Sequence, residues 1–206
     1  MSLLFVFDMD NVLYDYNWKA RMAALEVATG IPFDTLRERW WLESAGERSA
    51  EAGAFRDADE YFAAFRRAVG TEISEEEWLA ARADAMTPLP ESIAAAARAA
   101  ELGQVSLLTN NNPLIERHLP RVAAELVPIF GDHLRSSSFY GARKPDALVF
   151  ERLLEAYSTD AANAFFTDDL EENIAGARSV GITSHLFTGD AGAMLGAIEE
   201  FAESRG

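Results

Sequence analysis

The apolar positions at the start of the chain form an unbroken run, residues 3–7, that stops at Asp8. The run is too short for a helix and has the character of a strand buried on both faces of a parallel sheet. From residue 16 to residue 87 the period changes: Trp18, Met22 and Leu25 recur at helical spacing, and Gly30 with Pro32 marks a stop. Asp34 is placed to cap a helix carrying Leu36 and Trp40. Asp57 can cap one carrying Tyr61, Phe62 and Phe65 up to Gly70, and Ser74 with Glu77 reads as a capping box. The block is predicted as about four helices with no strand inside it.

After the Pro-Leu-Pro break at residues 88–90 the pattern alternates between helix and strand. An Ala-rich helix runs to Gly103, a strand spans residues 105–108, a helix follows Pro113, and a short strand is expected near residues 137–140. A helix over 145–157, a strand over 164–167, a helix over 170–180, a strand over 182–187 and a last helix from Asp190 complete the series. Such a βα series implies a parallel sheet with helices on both faces. The predicted class is therefore α/β: a Rossmann-like parallel-sheet core, residues 1–15 and 88–206, with a helical bundle inserted at 16–87.

In open α/β sheets, ligands bind beyond the carboxyl ends of the strands. Here the first strand leads into Asp8-Met9-Asp10 and the second into Thr109-Asn110. The third leads towards Arg143-Lys144 and the fourth into Thr167-Asp168-Asp169, all expected at one sheet edge. Up to four carboxylates, Asp8, Asp10, Asp168 and Asp169, would converge there. Like charges a few ångströms apart raise one another's pKa or demand a cation, and hard oxygen donors suit Mg²⁺. An Mg²⁺ site follows from the residues alone.

Composition narrows the chemistry further. The chain has 206 residues and no cysteine, which is long enough for a stable core without bridges and makes any metal catalytic rather than structural. Without cysteine there is no thiolate catalysis, and His118, His133 and His185 lack metal-ligand spacing to one another. The net charge of −16 disfavours nucleic acid and anionic membrane surfaces as partners. No basic leader precedes the first strand and no stretch approaches the ~20 apolar residues of a membrane span, so the expected location is cytoplasmic.

Four segments, DMDNVLYD from Asp8, LLTN ending at Asn110, RKPD from Arg143 and FFTDDLEEN ending at Asn173, resemble in order the four motifs of the haloacid dehalogenase superfamily. The resemblance spans nearly the whole chain. Members of that family are mostly Mg²⁺-dependent phosphatases, and the family inserts a helical cap soon after the first motif, where residues 16–87 fall. Motif spacing and cap layout make the chain most similar to small bacterial sugar-phosphate phosphatases, glucose-1-phosphate phosphatase among them.

The resemblance implies a role for each motif residue. Asp8 corresponds to the nucleophile that forms an aspartyl-phosphate, and Asp10 to the general acid and base, with its backbone carbonyl on the metal. Thr109 and the Asn110 N–H correspond to groups that bind phosphoryl oxygens, and Lys144 to the fixed positive charge beside them. Asp169 is implied as the first candidate for direct metal ligation, with Asp168 coordinating directly or through water and Asn173 one turn onward as a supporting partner of the site. Dehalogenases lack an acid at the position of Asp10, so dehalogenation is not expected. The expected partner is a small phosphorylated metabolite and the expected cofactor is Mg²⁺.

Each motif alone has a plainer reading. Asp8 and Asp10 could start a turn, Thr109 with its three asparagines could cap a helix, Lys144 could be a solvated loop charge, and Asp168-Asp169 could favour a helix dipole. It is their order along one sheet edge that favours chemistry. Trp18, Trp40, Trp41 and Trp78 are expected to form the core of the helical block, and Glu51-Ala52-Gly53 to join two of its helices, as a plain turn or facing the site. Three alternatives share these motifs: a phosphomutase, a receiver-like signalling domain, and a non-catalytic phosphate-ligand binder. A receiver places its nucleophile after a later strand and has no helical insertion. A binder would be expected to lose one of Asp8, Asp10, Lys144 or Asp169, all of which are present.

Overall fold

The structure, a computed structural model, describes residues 3–205. Strand β1 (Leu4–Phe7) lies inside a parallel sheet with β4 (Gln104–Leu107) on one side and β5 (Ala164–Asp168) on the other. Strand β6 (Thr183–Leu186) completes the order β4-β1-β5-β6. The two-residue side-chain period sorts β1 between two cores. Phe5 and Phe7 pack on one face with Val105, Phe165 and Phe201, while Leu4 and Val6 pack on the other with Val149, Phe150 and Phe166. All four β1 side chains are buried, which explains why the strand reads as continuous rather than alternating.

Helices α6 (Pro90–Leu102) and α12 (Ala191–Glu203) cover the first face, and α10 (Ala147–Tyr157) and α11 (Glu171–Ser179) the second. The expected strand near residues 137–140 is a single helical turn, α9 (Ser137–Tyr140). The extended pairing there shrinks to one bridge between Thr109 and Ser136, and Gly141 closes the turn in the left-handed region. Three consecutive serines give the backbone local hydrogen-bond partners that compete with a ladder. The turn still delivers Arg143 and Lys144 to the sheet edge.

The helical block comprises α1 (Trp18–Thr29), α2 (Phe33–Leu36), α3 (Glu47–Glu51), α4 (Ala58–Val69) and α5 (Glu75–Ala83). Asp57 caps α4 by accepting from the Glu60 N–H, and Ser74 with Glu77 forms the expected capping box on α5. Asp34 does not cap: α2 starts after Pro32, Asp34 sits in its first turn, and the chain runs on as a π-helix, Arg37–Trp41. The wider turn keeps Trp40 and Trp41 packed together against Phe65, at 5.5 and 6.1 Å between ring centroids. Trp78 meets Tyr61 edge-on at 6.0 Å, so the tryptophans form the core of this block as expected.

A two-stranded antiparallel ribbon, β2 (Tyr14–Tyr16) with β3 (Met86–Pro88), stands at the entry and exit of the block. The sequence pattern predicts no strand between residues 16 and 87, because three residues are too few to show alternation. Two further backbone bonds, Asn17 N–H to Ala85 O and Leu89 N–H to Leu13 O, extend the pairing. No helix among the described residues is long and apolar enough to cross a membrane. Helix α7 (Pro113–Val122) and a one-turn α8 (Val127–Phe130) fill the space between β4 and α9.

Candidate active site

The ladder of the sheet continues one residue past the strands. The Asp8 N–H donates to Thr167 O at 3.0 Å, Leu108 N–H to Phe7 O at 2.8 Å and Phe187 N–H to Asp168 O at 2.9 Å. This registers Asp8, Thr109 and Asp168 at one edge, where the chain turns away and side chains face a cavity of about 210 Å³. Asp8, Asp10, Thr109, Asn110, Lys144 and Asp169 all line it. Asp168 lies just behind, fully buried.

Lys144 is the electrostatic centre. Its ammonium is 1% exposed and lies 2.9 Å from Asp8 Oδ1 and 2.6 Å from Asp168 Oδ2. Burial works against its charge, but Asp168 and Asp8 outweigh that and hold it above the ordinary lysine range. The loop that carries Lys144 is clamped by Asn110, whose side-chain amide donates to Lys144 O and accepts from Lys144 N–H, both at 2.9 Å. Asn110 thus contributes a structural grip through its side chain in addition to the backbone N–H that the sequence pointed to.

Three carboxylates, Asp8, Asp168 and Asp169, each present an oxygen within 4.8 Å of the others. Asp10 lines the same cavity, and its carboxylate accepts from Arg82 Nη2 of α5 at 2.5 Å. All four carboxylates reach the one sheet edge, three of them within metal-ligand reach of one another, while a fully buried arginine from the helical block holds the Asp10 carboxylate. Burial, and then Asp168 and Asp10, push the Asp8 carboxyl well above the ordinary carboxylate range against the opposing pull of Lys144. Burial likewise raises Asp169.

The oxygen triad suits a small hard divalent cation, which would supply the positive charge these aspartates lack. The donors differ in availability. Asp168 accepts from Lys144, Leu170 N–H and twice from Asn173, so its oxygens are held by protein donors. Asp169 accepts from the Asn11 Nδ2 side chain at 3.2 Å and is half-buried. Asn173 therefore orients Asp168, while Asp169 is the more open of the two carboxylates.

The helical block reaches the same edge. Glu47 of α3, 5% exposed, accepts from Trp40 Nε1 and Tyr61 Oη at 2.7 Å and from Asn112 Nδ2 at 2.6 Å. Asn112 meanwhile caps α7 through its other side-chain atom, accepting from Leu114 and Ile115 N–H. Glu51, at the end of α3, accepts from Arg143 Nε at 2.7 Å, and its carbonyl accepts from Ser137 Oγ. Burial, with Glu47 beside it, raises the Glu51 carboxyl to about 7.

Residues 3–181 match the haloacid dehalogenase-like hydrolases. The chain belongs to this family. Among its relatives, a phosphatase from Mycobacterium tuberculosis is 29% identical over 192 residues, covering 88% of this chain and 85% of that protein. A ribulose-1,5-bisphosphate 5-phosphatase from Halopiger xanaduensis is 27% identical over 206 residues, covering 91% and 85%. These names agree with the phosphoric monoester hydrolase expected from the motifs. The fold of a HAD-like family hydrolase from Porphyromonas gingivalis matches with a TM-score of 0.73 at 20% identity, over 92% of this chain and 93% of that one. A HAD family enzyme from Bacteroides thetaiotaomicron, solved with magnesium and inorganic phosphate, matches with a TM-score of 0.68 at 19% identity, over 92% and 96%.

In this haloacid dehalogenase-like hydrolase, Arg82, Arg21, Glu47 and the Glu51–Arg143 pair went unread in the sequence. A signal for two of them was present: Arg82 stands four residues after Trp78, and Arg21 four before Leu25, each a charge on an apolar helical stripe. The partner of each lies far along the chain, which no local pattern records.

Proposed function

We propose that this hydrolase is an Mg²⁺-dependent phosphatase that cleaves a small phosphate monoester through an aspartyl-phosphate on Asp8, under a helical cap formed by residues 16–87. The reading rests on one observation above the others: three carboxylates and a buried lysine meet at the cavity where the family motifs end. Both contacts to Asp8 fall on Oδ1, from Met9 N–H at 2.8 Å and Lys144 at 2.9 Å. Oδ2 is then the oxygen that attacks phosphorus as the ester P–O bond breaks. Asp10 donates a proton to the departing alkoxide, then takes one from the water that attacks the aspartyl-phosphate, releasing phosphate and restoring Asp8. Such proton transfer contributes roughly 10²–10⁴-fold.

Thr109 and the Asn110 N–H bind the phosphoryl oxygens, and Lys144 holds positive charge beside Asp8 throughout. Asp8, the Asp10 carbonyl and Asp169 would hold Mg²⁺, with Asp168 beside them. The bound ion would offset phosphate charge and polarise the P–O bonds. The substrate is a small phosphorylated metabolite. The sugar bisphosphate in the name of one relative supports that class, and glucose 1-phosphate belongs in the panel because of the motif spacing.

The test is phosphate release from an aryl phosphate and a sugar-phosphate panel, in Mg²⁺ or EDTA, for wild type and Asp8→Asn. Release that needs Mg²⁺ and is lost by more than about 10³-fold in the variant is expected. A folded wild-type protein that releases no phosphate from any ester in Mg²⁺ overturns the reading.

A further inference from the structure

Two arginines of the helical block are buried where a cation needs a reason to be. Arg21 on α1 is 3% exposed and Arg82 on α5 is 0% exposed. Both meet Tyr16: Arg21 Nη1 donates to its hydroxyl at 3.2 Å, and the Arg82 guanidinium carbon lies 4.0 Å from its ring centroid. Arg82 has Asp10 as a partner, but among the described residues no carboxylate lies within ion-pair distance of Arg21. The neighbouring Glu47 lends Arg21 negative charge but no hydrogen bond, since its oxygens are engaged by Trp40, Tyr61 and Asn112.

Four guanidinium nitrogens, Nε and Nη2 of Arg21 and Nε and Nη1 of Arg82, have no hydrogen-bond partner among the described residues. Trp78 Nε1 is a fifth such donor, and the Arg21 guanidinium carbon sits 4.7 Å from the Trp78 ring centroid. Leaving buried donors unpaired is costly, more so when they are charged, and buried charge is ordinarily paired. The cluster touches the cavity wall through Asp10, held by Arg82. It approaches the wall again through Glu51, which feels the Arg21 charge and binds Arg143.

We propose that the substrate carries a second oxyanion besides the phosphate that is removed, and that Arg21 with Arg82 receives it beside Tyr16. This rests on the phosphatase reading above and narrows its substrate class to phosphorylated acids or bisphosphates. A planar guanidinium fork matches a carboxylate or a phosphate two oxygens at a time, so one site serves either group.

The experiment compares matched esters that differ in the second anion: phosphoglycerate against glycerol phosphate, and a hexose bisphosphate against the hexose monophosphate. Wild type is expected to prefer the doubly anionic member of at least one pair by roughly tenfold or more in kcat/KM, and which pair responds tells carboxylate from phosphate. In Arg21→Met that ratio is expected to fall towards one, chiefly through KM, and Arg21→Lys to keep part of it. Folding is checked by circular dichroism and Tm. Wild type that hydrolyses an aryl phosphate but shows no preference in either pair overturns the inference and leaves the phosphatase reading standing. An unchanged ratio in either folded variant also overturns it. No turnover of the aryl phosphate sinks both readings, and if neither variant folds the wild-type ratios decide.

Discussion

Replacing Lys144 by methionine keeps most of the side-chain volume and removes only the ammonium that separates Asp8 from Asp168. The lysine is 1% exposed and its partners lie 2.9 and 2.6 Å away, so solvent screens neither contact. After the change Asp168 keeps Leu170 N–H and both Asn173 contacts, whereas Asp8 keeps only Met9 N–H. The damage therefore concentrates on Asp8. Removing one partner of a buried ion pair costs about 3–5 kcal/mol, and protonation of Asp8 limits the loss to the lower end. At roughly 2–4 °C per kcal/mol for a protein of this size, Tm should fall by about 6–12 °C at neutral pH without added metal.

The pH dependence has a definite sign. A buried carboxyl whose pKa is raised binds its proton more tightly folded than unfolded, so its stability contribution is present at low pH and lost as pH rises through the folded value. Without Lys144 to oppose the burial of Asp8, the deficit of the variant should shrink as pH falls. Mg²⁺ should raise Tm more in the variant than in wild type, since the triad has lost its resident cation. Differential scanning fluorimetry over a pH series, with EDTA or Mg²⁺, measures all three effects. A variant within about 2 °C of wild type at neutral pH, or a deficit independent of pH, would refute the electrostatic account.

Three further substitutions probe the helical block. With the Glu51 carboxyl raised from 4.5 to about 7, wild-type stability should fall as pH rises across that window, by up to roughly 3 kcal/mol. Glu51→Gln should lose that portion of the slope in urea unfolding at about pH 5 and about pH 8. Gly53 has φ of +78°, and a Cβ there would meet Gly141 Cα at 2.6 Å. Gly53→Ala should therefore cost more than about 1 kcal/mol, read as a lower urea midpoint, because the α3 turn can no longer seat on the loop before Arg143. Ser74→Ala removes the α5 capping box and should lower stability by about 1 kcal/mol with little effect on phosphate release. A loss of activity as large as that of Asp8→Asn would mean that the first turn of α5, and not only Arg82 near its other end, bears on the chemistry.

Much of the fold was legible because its signals are local. The unbroken run in β1, the capping residues Asp57 and Ser74, and the left-handed glycines at 30 and 70 act within a turn or a strand of themselves. The positions of Asp8, Thr109, Lys144 and Asp169 around one cavity followed from strand ends and motif order, since a parallel sheet brings carboxyl ends to one edge. Where local preference is weak the sequence misleads: three serines make a turn instead of a strand, and the ribbon of β2 and β3 is too short to show a period.

The sequence by itself determined which residues carry the charge and roughly where along the sheet edge they emerge. Only the tertiary structure decided how those charges pair. Arg82 lies 72 residues from Asp10, Glu51 lies 92 from Arg143, and Asn112 lies 65 from Glu47. Each pairing depends on how the helical block docks on the sheet, and docking is set by packing of side chains that share no local period. That is why Asp10 could be expected at the cation site and yet face Arg82, and why Arg21 reads as an ordinary helix cation until its burial is seen.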